Sequence, residues 1–348
     1  MPNITSSRIR KGLCVVLSIG SGAAAAAGVC SEQKRAEVLA PISASAKEVY
    51  LDCSLDLPAG SVVHKHLVLA GQAASDTVLD CHDSRLVRQD QGDNVSIRSV
   101  WDGKMWSRPE RITVRNCRID GALRISGMDD EHWQAAAREP RATEWIQTAA
   151  PRDIVLENVD ITGSLRVPLY LRPGVTGVTL RNSRIGGWSE GPGVYLDAET
   201  AGNVLENNRI AVETPREQLA LDGSSHNIIR NNRFESAGHG GIYLYRNCGE
   251  NGIIRQQTPS FNQINRNFFD NRQALGWRPV IWLSSRNGWR WYCGADRGST
   301  VGSSADNQDF ADYNELIGNR FSRYWSGITV LDSGLLNRLE DNGAADNR

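Results

Sequence analysis

The sequence predicts an all-β solenoid, in which the chain winds into stacked coils of short strands. Three observations predict it. An asparagine-containing phrase recurs seven times, a shorter strand precedes most copies, and uninterrupted copies follow one another after about 24 residues. That interval is too short for a helical crossover between parallel strands, but it fits one coil of a solenoid.

The recurring phrase alternates apolar and polar residues around an asparagine and ends in isoleucine or phenylalanine. Its copies are Ile112–Ile119, Ile154–Ile161, Val178–Ile185, Asn203–Ile210, Asn227–Phe234, Asn262–Phe269 and Asn314–Phe321. Stacking them aligns the asparagines into two columns. One column holds Asn158, Asn182, Asn207 and Asn231, and the other holds Asn208, Asn232, Asn267 and Asn319. We expect these side chains to occupy tight left-handed turns and to bond along the stack.

The shorter strands alternate with period two, so their apolar first and third residues point inward and the others outward. They span residues 194–197, 219–222, 242–245, 281–284 and 328–331. One outward column contains Tyr170, Tyr195, Ala220, Tyr243, Trp282 and Thr329, and the next contains Arg172, Asp197, Asp222, Tyr245 and Ser284.

The coil pattern and the asparagine columns resemble the right-handed parallel β-helix, or pectin-lyase-like, superfamily over about residues 50 to 342. The resemblance implies a single-stranded right-handed parallel β-helix. The superfamily is rich in lyases, hydrolases and epimerases of uronate-containing polysaccharides, although fold alone does not imply function.

Three insertions, near residues 127–152, 247–261 and 286–313, interrupt the repeat after the short strand and before the phrase. Coils in register place them along one edge, where they would wall a groove suited to a polysaccharide or oligosaccharide. Tyr170, Tyr195, Tyr243 and Trp282 would offer flat surfaces for sugar rings. The alternative is that the loops cover these aromatic side chains.

Asp197 and Asp222 lie on adjacent rungs, so their carboxylates should be about 5 Å apart. Like charges at that distance raise one pKa or recruit a cation. The pair is therefore a candidate calcium site, a catalytic acid pair, or a pair of turn-capping residues.

A polar cluster enters the short strands and contains Glu190, Arg216, Glu217, His239 and Arg278. The run Gly238-His239-Gly240 resembles the Gly-His-Gly of polygalacturonases, which implies hydrolysis with Glu217 as an acid. The departures are that Glu217 and Gln218 replace that family's paired aspartates and that no Arg-Ile-Lys follows.

A lyase would use the same neighbourhood differently, with a cation neutralising a uronate carboxylate while a base removes the adjacent proton. The candidate cations are Arg216, Arg246, Arg278 and Arg286, since arginine suits bidentate carboxylate recognition. The candidate bases are His239, Tyr243, Tyr245 or an arginine.

The sequence divides into a signal peptide over residues 1–30, a lead-in over 31–49 and the β-helix domain over 50–348. We therefore expect a periplasmic or secreted protein. A less favoured interpretation makes Cys30 a lipidation site. Export permits disulfides, and matching sequence contexts favour Cys53–Cys81. Cys248 and Cys293 lie in two inserted loops that leave successive coils at the same place, which favours Cys248–Cys293 and would leave Cys117 free.

A formal net charge of −1 argues against a nucleic-acid partner, and no later segment is long and apolar enough to span a bilayer. Motifs for nucleotides and structural zinc are absent, so the sequence indicates no certain cofactor, and calcium is the one candidate. His64 and His66 alternate on an early strand and make at most a weak metal site. The sequence favours an enzyme that binds and cleaves or modifies an acidic polysaccharide. The alternative is a non-catalytic carbohydrate-binding or cell-surface protein.

Overall fold

The computed structural model describes residues 27–43, 47–88, 92–235, 239–248, 253–270, 278–288, 299–322 and 328–345. The chain forms three parallel sheets of ten strands, and each coil contributes one strand to each sheet. This arrangement confirms the predicted right-handed parallel β-helix.

The short strands form the first sheet, called here the short-strand sheet. It contains β1 (Glu48–Tyr50), β4 (His66–Ala70), β7 (Asp93–Arg98), β12 (Ala122–Ser126), β15 (Leu169–Leu171), β18 (Val194–Leu196), β21 (Leu219–Asp222), β24 (Ile242–Tyr245), β27 (Ile281–Leu283) and β30 (Val330–Asp332).

Each asparagine phrase contributes to both remaining sheets. The second contains β2 (Leu55–Asp56), β5 (Val78–Asp80), β10 (Thr113–Arg115), β13 (Val155–Glu157), β16 (Thr179–Arg181), β19 (Val204–Glu206), β22 (Ile228–Arg230), β25 (Gln263–Asn265), β28 (Glu315–Ile317) and β31 (Arg338–Glu340). The third contains β3 (Val62–Val63), β6 (Arg85–Val87), β11 (Arg118–Asp120), β14 (Asp160–Gly163), β17 (Arg184–Trp188), β20 (Arg209–Glu213), β23 (Arg233–Glu235), β26 (Phe268–Asp270), β29 (Arg320–Ser322) and β32 (Gly343–Ala344).

The remaining elements lie outside the three sheets. They are α1 (Glu32–Leu39), the 3₁₀ turn Gln72–Ala74, the hairpin β8 (Val100–Trp101) and β9 (Trp106–Ser107), α2 (Asp130–Ala136), α3 (Ala142–Ala149) and α4 (Ser303–Asp306). Among the described residues, no helix has the length and apolarity needed to cross a membrane.

Left-handed asparagines form the corner between the second and third sheets. Asn158, Asn182, Asn207 and Asn231 have φ between 52° and 56°. Asparagine tolerates this conformation better than most residues do, which explains its recurrence at this position. The phrase therefore forms two strands with a sharp turn between them.

The neighbouring asparagine column forms a buried amide ladder. The Asn208 side chain donates to Asn232 at 3.0 Å, Asn232 donates to Asn267 at 3.1 Å, and Asn267 donates to Asn319 at 3.1 Å. A second ladder contains Asn203, Asn227, Asn262 and Asn314. Both ladders satisfy buried polar groups at the corners and hold successive coils in register.

Isoleucine, leucine and valine fill the interior of the helix, and phenylalanines take over toward the C-terminal coils. Phe234 and Phe269 stack with ring centroids 4.8 Å apart, and Phe269 and Phe321 stack at 5.2 Å. This core fixes which residues of each short strand face outward.

The last outward column differs from the sequence prediction by two residues. Strand β30 pairs Leu331 with Trp282, so Leu331 takes the position expected for Thr329. The first strand, β1, begins at Glu48 and pairs with β4, within the segment assigned to the lead-in.

The disulfide prediction for Cys53 and Cys81 is wrong, because each bonds a different cysteine. Cys30 bonds Cys53, and Cys81 bonds Cys117, so Cys117 is not free and the Cys30 thiol is not open to lipidation. Matching sequence contexts placed Cys53 and Cys81 in similar positions without showing which neighbour each would meet. Cys248 is disulfide-bonded, but Cys293 lies outside the described residues, so that pairing stays a prediction.

Candidate functional site

The outward face of the short-strand sheet carries the candidate site residues, and the inserted loops pack against its middle. Glu199 anchors two of these loops. Its carboxylate accepts hydrogen bonds from the Thr143 hydroxyl at 2.6 Å and from the backbone amides of Gln256 and Gln257 at 2.6 and 3.0 Å. Burial raises the pKa of Glu199. These donors satisfy a buried carboxyl group, which gives Glu199 a structural role.

Arg255, from the second inserted loop, lies over the predicted acid pair. Its Nη2 donates to Asp197 Oδ1 at 2.8 Å, and its Nε lies 2.8 Å from Asp222 Oδ1 without the alignment of a hydrogen bond. The three side chains are 0–6% exposed. An arginine from the protein thus occupies the position between the carboxylates that a calcium ion would need.

Two tyrosines complete this cluster. Tyr170 donates to Asp197, and Tyr195 donates to Asp222 at 2.5 Å, while their rings stack 4.9 Å apart. Burial raises the pKa of Asp222 to about 6, and nearby Arg255 opposes this shift. The Arg255 cluster, meaning Arg255, Asp197, Asp222, Tyr170 and Tyr195, is a nearly closed network that ties a loop to the sheet.

A pocket of about 560 Å³ lies beyond this cluster, toward the C-terminal coils. This C-terminal pocket is lined by Arg216, Glu217, Tyr243, Arg278, Pro279, Trp282, Ser285, Arg286, Ile328 and Leu331. Its walls combine aromatic and aliphatic surface with three guanidinium groups and one carboxyl group, a composition suited to an anionic ligand with apolar faces.

Glu217 is held firmly at the side of the C-terminal pocket. It is 2% exposed, and its Oε1 accepts hydrogen bonds from the Tyr245 hydroxyl at 2.7 Å and from Arg216 at 3.3 Å. Within the described part of the chain, no hydrogen bond reaches Oε2. Arg286 stacks over the Tyr245 ring, with its guanidinium carbon 3.8 Å from the ring centroid.

Two further donors at the C-terminal pocket have no acceptor among the described residues. The indole nitrogen of Trp282 and the hydroxyl of Ser285 are both buried. Buried polar groups are normally hydrogen-bonded, so these two are candidates for contact with a ligand oxygen.

The N-terminal groove lies on the other side of the Arg255 cluster. It consists of two cavities, of about 460 and 560 Å³, that share Asp93, Arg124 and Arg172. Glu190 and Tyr170 line the smaller cavity, and the hairpin tryptophans Trp101 and Trp106 line the larger one.

Comparison with known proteins agrees with this architecture. The family model described as the right-handed beta helix region matches residues 105–277. The chain belongs to the right-handed parallel β-helix superfamily. A search of curated proteins found no match.

The likeness to a solved structure extends along most of this chain. An endo-xylogalacturonan hydrolase from Aspergillus tubingensis matches with a TM-score of 0.52 and 8% identity, over 84% of this chain and 85% of that chain. A DFA-IIIase from Arthrobacter chlorophenolicus A6 matches with a TM-score of 0.49 and 14% identity, over 95% and 89% of the two chains. At these identities, the first match shows a common fold.

The β-helix brings together only part of the predicted site. The residues that converge at the C-terminal pocket are Arg216, Glu217, Tyr243, Tyr245, Arg278, Trp282 and Arg286. Exposed His239 adjoins them through its carbonyl oxygen, which accepts from the Tyr243 hydroxyl at 3.3 Å. Gly238, in the same motif, lies outside the described residues.

Other predicted site residues lie elsewhere. Glu190 is exposed in the N-terminal groove, apart from the pocket that contains Glu217. Arg246 is 3% exposed and bonds Asp306 and the Gln308 carbonyl, so it anchors the third inserted loop. Asp197 and Asp222 lie beneath Arg255 instead of facing the groove.

Sequence reasoning missed Arg255 and a chain of hydrogen bonds through Glu48, His66 and Ser96. Arg255 lies in an inserted loop, where no repeat indicates its position. His66 was noted only as half of a weak metal site, since neither its carboxylate nor its hydroxyl partner is close in sequence.

Proposed function

We propose that the protein is an exported carbohydrate-active enzyme that acts on an acidic polysaccharide at the C-terminal pocket. One observation carries the proposal: Arg216, Arg278 and Arg286 surround an apolar pocket that also contains Glu217 and the Trp282 ring. Arginine suits a sugar carboxylate, and an aromatic face suits a sugar ring. The endo-xylogalacturonan hydrolase, which shares this fold, is consistent with a carbohydrate substrate.

We infer removal of the proton beside a uronate carboxylate as the reaction. Guanidinium groups would neutralise the carboxylate and stabilise the negative charge that forms when this proton leaves. Glu217 would accept the proton at Oε2 while Tyr245 and Arg216 hold Oε1. Loss of the group across the adjacent bond would give a lyase product, and reprotonation from the opposite face would give an epimer.

Hydrolysis is the less favoured chemistry. It needs two carboxyl groups on opposite sides of the glycosidic bond. Among the described residues that line the C-terminal pocket, Glu217 supplies the one carboxyl group, since Glu190 lies in the N-terminal groove and Arg255 covers Asp197 and Asp222.

A non-catalytic carbohydrate-binding protein is the second candidate. The observation that favours it is the tight holding of Glu217, which is 2% exposed and already bonded. Such a glutamate could serve only to position Arg216 and Tyr245 for binding.

Disulfide bonds support the proposal that the protein is exported. Two disulfides, Cys30–Cys53 and Cys81–Cys117, join coils at the N-terminal end. Disulfides form and persist mainly in the periplasm or outside the cell, which agrees with export by the predicted signal peptide. Since Cys30 bonds Cys53, cleavage of that peptide would fall before Cys30 and not after it.

The test is a panel of uronate-containing polysaccharides incubated with the full chain. Ultraviolet absorbance reports unsaturated product, reducing-end assays report hydrolysis, and deuterium incorporation at the carbon beside the carboxylate reports epimerisation. We expect absorbance or deuterium incorporation, and Glu217→Gln should lower it by at least about 100-fold, because general base catalysis contributes that much.

The matched control is Arg230→Gln. This arginine is half-exposed in an ion pair with Glu206 on the second sheet, so its loss should leave turnover unchanged. Reducing ends without unsaturated product would contradict the elimination chemistry. Binding that survives in Glu217→Gln, with no product from the wild-type protein, would favour the non-catalytic candidate.

A further inference from the structure

Three outward side chains on the first rungs of the short-strand sheet form a continuous hydrogen-bonded chain. Glu48 of β1 and His66 of β4 are direct register partners, and Ser96 lies on the next rung in β7. His66 Nδ1 is 3.0 Å from Glu48 Oε1, and His66 Nε2 is 2.7 Å from Ser96 Oγ. The order is carboxylate, imidazole, hydroxyl.

The positions of the protons follow from the partners. A hydrogen bond with His66 lowers the pKa of Glu48, so this carboxylate is ionised at neutral pH and can only accept. The shared proton therefore resides on Nδ1 of the imidazole. Nε2 is left to accept from the Ser96 hydroxyl, as a general base must.

Burial keeps the imidazole neutral before reaction. It lowers the pKa of His66, the bond to Glu48 partly opposes this effect, and the nearby charges of Arg88 and Asp93 lower and raise this pKa respectively. The His66 side chain is 11% exposed and Ser96 is 7% exposed, whereas the Glu48 side chain is 44% exposed. The hydroxyl and its base therefore lie deeper than the carboxylate that orients them.

The hydrogen-bonded side chains of His66 and Ser96 border a cavity large enough for a substrate. His66 and Ser96 both line the larger cavity of the N-terminal groove, which measures about 560 Å³. Trp101 and Trp106 line the same cavity, and their rings are 5.4 Å apart. The reactive hydroxyl thus faces a cavity with aromatic walls.

Two arginines line the same cavity as Ser96, namely Arg98 and Arg124. Arg124 is the register partner of Ser96 on the next rung, and its guanidinium pairs with Asp93 at 3.0 Å. Arg98 bonds the Tyr50 hydroxyl at 2.7 Å, and that hydroxyl is 3.4 Å from Glu48 Oε2. Guanidinium groups beside a nucleophile can stabilise a developing oxyanion and attract an acidic substrate.

We propose that Ser96, His66 and Glu48 form a second active site, which hydrolyses a carboxylic ester on an acidic saccharide. Ser96 and His66 are the catalytic residues, and Glu48 is a positioning residue. The site lies across the Arg255 cluster from the C-terminal pocket and does not depend on the chemistry proposed there.

The reaction balances without a cofactor. Ser96 Oγ attacks the ester carbonyl carbon as its proton passes to His66 Nε2, and the oxyanion forms in the cavity that Arg98 and Arg124 line. The carbon–oxygen bond to the alcohol then breaks, and the alcohol takes the proton from His66. Water attacks the acyl-serine by the same route, releasing the carboxylic acid and restoring Ser96.

The ester could be an O-acetyl group or the methyl ester of a uronate, and the products distinguish them. The full chain is incubated with acetylated and with methyl-esterified acidic polysaccharides, and acetate and methanol are measured separately. A fluorophosphonate probe is applied in parallel, and mass spectrometry locates the labelled serine. We expect the label on Ser96 and the release of one of the two products.

Variants test whether these three residues are catalytic or only stabilise the fold. Ser96→Ala should abolish labelling, and His66→Gln should lower ester hydrolysis at least 100-fold. Glu48→Gln should lower it by a similar factor and change the pH profile, because His66 loses its charged partner. The wild-type rate should rise with pH, with a midpoint below the ordinary histidine pKa of about 6.5.

Ser225→Ala is the matched control. Ser225 also contacts a histidine, His226 Nδ1 at 2.9 Å, but lies in a turn after β21, away from the N-terminal groove. Its loss should leave ester hydrolysis unchanged. Label on another serine, or no ester hydrolysis and no labelling by the wild-type protein, would overturn the proposal. Failure of this proposal can be told apart from failure of the chemistry proposed at the C-terminal pocket, since Glu217→Gln should not affect ester hydrolysis.

Discussion

Arg255 offers the sharpest test of how the inserted loops are held on the β-helix. In Arg255→Met, the unbranched apolar stem is retained and the guanidinium is lost. The change leaves Asp197 and Asp222, 5% and 0% exposed, without the cation that lies 2.8 Å from each. Two adjacent buried carboxyl groups would then face each other across the vacated position.

The expected loss of unfolding free energy is about 3–5 kcal/mol at neutral pH, the usual cost of removing one partner from a buried ion pair. For a chain of this length, that loss corresponds to a fall in Tm of about 4–7 °C in a cooperative transition. An equivalent exposed pair is worth at most about 1 kcal/mol. Arg230→Met, which removes the partner of Glu206 from a half-exposed pair, is therefore the control.

The loss should depend on pH, and the sign can be worked out. Burial already raises the pKa of Asp222 to about 6, above its ordinary 3.8, and removing Arg255 takes away the charge that opposes this shift. The folded variant then binds more protons than the unfolded chain does, so its stability rises as pH falls through the folded pKa. The deficit should be largest at pH 8 and smaller at pH 5.

Urea unfolding at these two pH values, followed by circular dichroism, measures the effect. Adding Asp197→Asn and Asp222→Asn to Arg255→Met should recover part of the loss, because amides carry no charge to bury. Equal losses at both pH values, or a stable Arg255→Met, would show that the guanidinium does not neutralise a buried pair.

Three other changes test the coils themselves. Asn232→Ala removes the side chain that accepts from Asn208 and donates to the Leu205 carbonyl, and thermal unfolding should show a loss of about 3 kcal/mol as buried groups lose partners. Phe269→Ala interrupts the buried phenylalanine stack and should cost about 3–5 kcal/mol in urea unfolding, with unchanged stability counting against the packing argument. Cys81→Ser opens a disulfide whose cysteines are 36 residues apart and should cost about 3–4 kcal/mol, and a loss no greater under oxidising than reducing conditions would contradict the bond.

Much of the fold could be predicted because its determinants are local and repeat. Asparagines at left-handed corners, such as Asn182 and Asn207, recur at one position of each phrase, and alternation fixes which residues face the core. Where the phrase is weakest the prediction was less accurate. Near the last coil, the sequence prediction placed Thr329 in the outward column, whereas pairing with β27 places Leu331 there.

The candidate site was predictable only where it is built on repeating strands. Glu217, Tyr243 and Trp282 lie near one another because rungs in register bring corresponding residues to one face. The role of Asp222 was not predictable, because Arg255 reaches it from a loop 33 positions further along the chain. No periodicity governs where such a loop packs.

Sequence alone determined the coil length, the inward and outward faces and the line of asparagine corners, because each depends on residues within a single coil. Tertiary structure decided which charges are buried, which cysteines pair and which side chains meet across irregular coils. Glu48, His66 and Ser96 show the difference, since 18 and 30 residues separate the bonded pairs and no repeated phrase aligns them. In a β-helix, the backbone hydrogen bonds between rungs set the distance between side chains on neighbouring coils. Where coils differ in length, the spacing along the sequence therefore does not show which side chains meet.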